Sequence, residues 1–147
     1  LVSHQQPDIQ ERLCAITRQY GLVAIYAFGS RAIEIATRVS GEEVEAALPS
    51  SDADIGVLPA CGRRLTARER VELMLELEDL LEVTRVDLVI LSEASPYLAL
   101  DVVRGELLCA TDLDAEAEYQ LYVLRRAGDL APFERERWRM ILTREAI

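Results

Sequence analysis

Leu22 to Phe28 is a near-continuous apolar run of strand length, and it ends at Gly29-Ser30. Arg31-Ala32-Ile33 then reads as the first turn of a helix, so the run is a buried strand feeding a helix through a tight turn. Two more strands follow in register with chemistry. Asp52 to Leu58 alternates, with Ile55 and Val57 on one face and Asp52 and Asp54 on the other, and Arg85 to Leu91 is a third strand carrying Asp87. Glu106 to Ala110 fits a short fourth strand at an edge.

Helices are marked between these strands by their caps. Asp8 with Glu11 opens one that places Leu13, Ile16 and Tyr20 on a stripe and stops at Gly21. Thr66 with Glu69 opens a second, to about Glu82, whose inward face is Leu73, Leu77 and Leu80. Ser95 and Pro96 start a third that ends at Gly105. From about Leu113 the pattern is helical, and Gly128 and Pro132 predict two helices rather than one. Glu34 to Ser51 is mixed and reads only as part helix and part surface loop.

With 147 residues, half of them hydrophobic, the chain is long enough for one domain with its own core. We expect a single unit over 1–147, with its core at about 10–110 and a helical extension over about 111–147. No apolar run approaches the ~20 residues of a membrane span, and Leu1 to Gln10 is too polar for a signal peptide, so a cytoplasmic protein with no membrane partner is expected. Cys14, Cys61 and Cys109 lie far apart without metal-site spacing and are read as packing residues. His4 is the sole histidine, which removes His-based triads and leaves catalysis to carboxylates. The basic residues are all arginine, 16 against 26 acids, and the net charge of -10 would repel a phosphate backbone. Direct nucleic-acid binding is therefore disfavoured, whereas a basic protein partner suits the charge.

Asp52 and Asp54, two apart on a strand, point the same way and can close on one divalent cation, and Asp87 on a neighbouring strand can join them. Carboxylates clustered without a cation repel one another, and hard oxygen ligands make Mg²⁺ the natural occupant. Gly29 lets the backbone approach a phosphate, while the Ser30 hydroxyl and the N–H groups of the following turn supply donors. In a chain without lysine, Arg31 is the nearest cation able to meet that phosphate, ahead of Arg63 and Arg64.

Ala27-Phe28-Gly29-Ser30-Arg31-Ala32, then Ser51-Asp52-Ala53-Asp54-Ile55-Gly56-Val57, then Val86-Asp87-Leu88-Val89-Ile90, closely resembles the DNA polymerase beta-type nucleotidyltransferase superfamily. Within it, the size resembles the minimal nucleotidyltransferases, antitoxin halves of modules whose partner is a helical HEPN-type ribonuclease toxin. The resemblance implies an α/β (α+β) fold with a mixed sheet of about four strands flanked by helices and a helical C-terminal tail. It also implies Mg²⁺ and ATP, a nucleoside triphosphate bound at Gly29, Ser30 and Arg31, and metal held by Asp52, Asp54 and Asp87. The implied reaction moves AMP to a hydroxyl, in the antitoxin branch a tyrosine on the toxin. Two alternatives stand beside it: an antitoxin that acts by binding only, and an enzyme that modifies a small hydroxylated molecule such as an aminoglycoside. One departure is the 21 residues between Ser30 and Asp52, longer than the family's usual spacing. Near the end of the chain, Phe133, Trp138 and Met140 are expected to pack on the domain, and the Arg135 to Glu145 stretch to be a solvated helix.

Overall fold

A computed structural model of the chain describes residues 8–42 and 52–145. Helix α1, Ile9–Gln19, begins where Asp8 accepts a 2.7 Å hydrogen bond from the Glu11 N–H, and the chain leaves it through Gly21. Strand β1, Leu22–Phe28, leads through one 3-10 turn, Gly29–Arg31, into helix α2, Ala32–Val39. The ambiguous stretch after Glu34 therefore opens as helix, while its Glu43, Glu45 and Pro49 lie outside the described residues. Strand β2 (Ala53–Pro59), helix α3 (Ala67–Leu81), strand β3 (Val86–Ile90), helix α4 (Pro96–Val103), strand β4 (Glu106–Ala110) and helix α5 (Leu113–Glu145) complete the order. Both halves of the capping box at α3 form: Thr66 accepts from the Glu69 N–H, and the Glu69 carboxylate accepts from the Thr66 N–H, each at 3.1 Å.

The four strands form one sheet in the order β3-β2-β1-β4. β1 runs antiparallel to β2 and β4, and β2 runs parallel to β3, so the sheet is mixed and the fold is α+β. Period-two alternation sorts its side chains into two cores. On one face, Ile25, Ala27, Ile55 and Val57 pack with Leu13 of α1, Ile35 of α2 and Leu73 and Leu77 of α3, all fully buried. On the other, Ala24, Tyr26 and Leu58 meet Val102 of α4 and Val123 of α5. Each large apolar side chain so buried contributes about 1.5–3 kcal/mol.

Close approach of α4 to the sheet depends on two positions without side chains. A Cβ on Gly56 of β2 would stand 2.3 Å from Cγ1 of Val102, and one on Gly105 would stand 2.3 Å from the Ala27 carbonyl oxygen. α5 is tied down by a buried polar contact. The Tyr26 hydroxyl donates to Oε1 of Glu116 at 2.5 Å, and the Gln120 amide donates to the same oxygen. Burial first, and Glu116 second, push the Tyr26 hydroxyl far above its ordinary range, so it remains a donor.

Three expectations need correction. α5 is one helix through Gly128 and Pro132, not two. Pro132 lacks the N–H that would bond the Gly128 carbonyl and crowds that carbonyl, yet the helix continues. Trp138 and Met140 do not pack on the body: they are 56% and 57% exposed, because α5 outruns the elements beneath it; the side chain of Phe133 lies outside the described set. Of the cysteines, Cys109 is buried and Cys14 half-buried, but Cys61 is exposed in the loop after β2. Among the described residues no helix is long and apolar enough to cross a membrane.

Candidate active site

β1 ends where β2 and β3 begin, and the strand registers decide which side chains meet there. Phe28 pairs with Asp54 across the antiparallel ladder, and Asp54 pairs with Asp87 across the parallel one. Laterally paired residues share a face, so Asp54 and Asp87 stand side by side on the face covered by α4. Asp52 precedes β2 by one residue and lies two before Asp54, in the same phase. The electrostatics agree with this placement. Asp54 is half-buried and its carboxyl is held above its ordinary value, by burial first, then by the charge of Asp87, then by that of Asp52.

Gly29 lies directly against this row. Its φ is +75°, and a Cβ there would fall 2.4 Å from Oδ2 of Asp54. The turn and the carboxylate can be that close only because the residue is glycine. The next residue, Ser30, is exposed. The Ala32 N–H makes the first bond of the turn, to the Gly29 carbonyl, so the Gly29 and Ser30 N–H groups precede the turn's own bonding. Gly29, Ser30, Asp52, Asp54 and Asp87 are thus gathered at one end of the sheet.

Arg31 goes elsewhere. It is buried, 6% exposed, and grips Glu34 with two hydrogen bonds, Nε to Oε2 at 2.9 Å and Nη2 to Oε1 at 3.0 Å. Glu34 also accepts from Arg38 at 3.2 Å, and Arg38 donates to the Leu81 carbonyl at the end of α3. The guanidinium expected to meet a phosphate is built into a network that fixes the base of α2. Arg63 is likewise paired, with Glu69. Among the described residues, Arg85 does stand at the carboxylates, with its Nε 3.9 Å from Oδ2 of Asp52. Sequence reading passed over it, although its position two before Asp87 puts it in the same phase as the acid.

A divalent cation fits this donor set on chemical grounds. The available ligands are all oxygen, and Asp54 carries a cost from its two neighbours that a cation would relieve. Among the described residues no group of three acidic, histidine or cysteine side chains is placed to hold a metal ion by itself. Mg²⁺ does not require one, because it is commonly held by one or two carboxylates together with substrate phosphates and water.

A glycine turn feeding a helix thus lies against a row of carboxylates at one end of a mixed sheet. The family model described as "Polymerase beta, Nucleotidyltransferase" matches residues 11–114, and the chain belongs to that family. A crystal structure of a mutant MntA toxin–antitoxin complex is similar at 25% identity and a TM-score of 0.63, over 90% of this chain and 98% of the matched one. A toxin–antitoxin crystal structure with AMP-PNP shares 25% identity with a TM-score of 0.62, over the same 90% and 98%. The fold is also that of an MNT antitoxin in complex with a tri-AMPylated HEPN toxin of Shewanella oneidensis, at 24% identity and a TM-score of 0.62 over 91% and 96%. No curated protein sequence matches the chain.

Proposed function

We propose that this chain is an Mg²⁺-dependent nucleotidyltransferase that moves AMP from ATP to a hydroxyl on a partner protein, a tyrosine of a HEPN-type toxin, and thereby silences it. The observation that carries this reading is the contact of Gly29 with Asp54, with Asp87 paired beside it. Family membership supports nucleotidyl transfer, a similar structure with AMP-PNP supports an adenine nucleotide, and the toxin–antitoxin relatives support a toxin as acceptor.

The Gly29-Ser30 turn holds phosphate oxygens through backbone N–H groups and the Ser30 hydroxyl. Asp52 and Asp54 would hold the metal, and Asp87 would complete the set. Bound there, Mg²⁺ supplies charge neutralisation on the triphosphate. The acceptor oxygen attacks the α-phosphorus, the bond from that phosphorus to the bridging oxygen breaks, and pyrophosphate leaves with the electron pair. Asp87 helps take the proton released by the hydroxyl. Arg31 contributes by keeping α2, and so the turn, in place through Glu34. Positioning and electrostatics supply most of the rate in such a displacement.

Incubation with Mg²⁺, labelled ATP and the HEPN-type toxin, followed by mass spectrometry, tests the reading. The expected product is an AMP adduct on a toxin tyrosine, and replacing both Asp52 and Asp54 with alanine should reduce its formation by roughly a hundredfold or more. Incorporation undiminished in that double variant would contradict the role given to the carboxylates.

A further inference from the structure

α5 is longer than the body that supports it. Its first half buries Glu116, Val123 and Ala127. At about 100° per residue, Ala131, Trp138 and Leu142 continue the same side of the helix. Beyond the body that side is uncovered: Trp138 is 56% exposed and Leu142 60%. With Tyr97 in the first turn of α4 they line a groove of about 500 Å³, flanked by Arg135 and Arg139. An apolar stripe with an exposed tryptophan, a tyrosine and two arginines has the composition of an interface hot spot.

Charge selects the occupant. Among the described residues lining the groove, the only charged ones are the two arginines. Residues 125–145 carry six arginines and four acids, on a chain whose net charge is -10. Arg139 is already paired with Glu136 at 2.7 Å, so the positive excess of this apolar strip, on a negative molecule, rests on Arg135. A second copy meeting it groove to groove would set arginine against arginine, which like-charge repulsion opposes. An apolar helix face edged with carboxylates satisfies both features.

We propose that this groove docks a helix of the partner protein that bears an apolar face bordered by aspartate or glutamate. The proposal rests on the reading that the chain acts on a protein, and it separates docking from chemistry. α4 joins the two places: Tyr97 is at the groove, and Gly105, just past the other end of the helix, abuts Phe28 beside Asp54. Eight residues of helix span about 12 Å, a distance that a docked partner can bridge to bring a hydroxyl to the carboxylates.

Two double variants test this in calorimetric titrations with the HEPN-type toxin: Trp138→Ala with Leu142→Ala, and Arg135→Glu with Arg139→Glu. All four positions are exposed or at the groove rim, and circular dichroism checks that the helix content is kept. Each pair should weaken toxin binding by roughly tenfold or more, while Mg²⁺-ATP affinity stays at the wild-type value. Toxin affinity unchanged in both pairs would overturn the groove and leave the transferase reading intact. A wild-type chain that binds Mg²⁺-ATP but no toxin would overturn the groove together with the toxin as acceptor. Sedimentation adds a third outcome: a wild-type dimer turned monomeric by the Trp138 and Leu142 changes would give the groove to a second copy and overturn the proposal.

Discussion

A methyl group on Gly29 would have to share space with Oδ2 of Asp54, 2.4 Å away, on a backbone whose φ of +75° already disfavours any side chain. Gly29→Ala should therefore cost about 1–2 kcal/mol in folding stability from the backbone alone. It should also weaken Mg²⁺-ATP binding more than a mutation of similar cost elsewhere, which denaturant titration and calorimetry on the same sample will separate. Arg31→Ala should behave in the opposite way. It leaves the largely buried Glu34 with less of its counter-charge, so stability should fall by about 2–3 kcal/mol, while the nucleotide loses no direct contact. Gly29, Asp54 and Asp87 were legible in the sequence because strand phase is a local property, fixed by a period of two. The role of Arg31 was not, because its partner Glu34 falls in a stretch whose helix could not be told from loop by pattern alone. Arg85 was missed for a different reason: its phase with Asp87 is local, but its proximity to Asp52 depends on the parallel register of β2 and β3, which the sequence pattern does not encode.

Caps made three helix starts readable, since Asp8, Thr66 and Ser95 each accept the backbone bond their positions predict. The Thr66 box has a pH signature. Arg63 foremost, then the Thr66 N–H, hold the Glu69 carboxyl down to about 2, against an ordinary value of 4.5. A carboxyl depressed on folding stabilises fully above its unfolded value, and the effect is lost as pH falls through its folded one. Unfolding followed between pH 5 and about 2 should show less acid sensitivity in Glu69→Gln than in the wild type. The largest misreading was at α5, where Gly128 and Pro132 look like a break. The helix survives because a break signal is only an energetic penalty, about 3 kcal/mol for proline, set against cooperative bonding along 33 residues. Pro132→Ala should consequently slow amide exchange around residues 128–132 and raise helix content, whereas a true two-helix arrangement would show neither change.

For the molecule as a whole, three layers follow from binary pattern: helices α1 to α3, a four-stranded sheet, and helices α4 and α5. The strand order was not legible, because pairing β1 between β2 and β4 is decided by which faces bury together across the chain. The charge of -10 carries its own expectation: mixed with duplex DNA or RNA near physiological salt, the chain should show no mobility shift. The same charge makes a metal-bound nucleotide far more acceptable at the carboxylates than a free one, so chelating the metal should abolish nucleotide binding as well as transfer.

The most direct test is calorimetric titration of Mg²⁺-ATP into the wild-type chain and into Asp54→Ala. A single site that disappears in the variant and in EDTA is the predicted result. Binding of equal affinity in both proteins, or binding indifferent to the metal, would contradict a shared site at Gly29, Ser30, Asp52, Asp54 and Asp87.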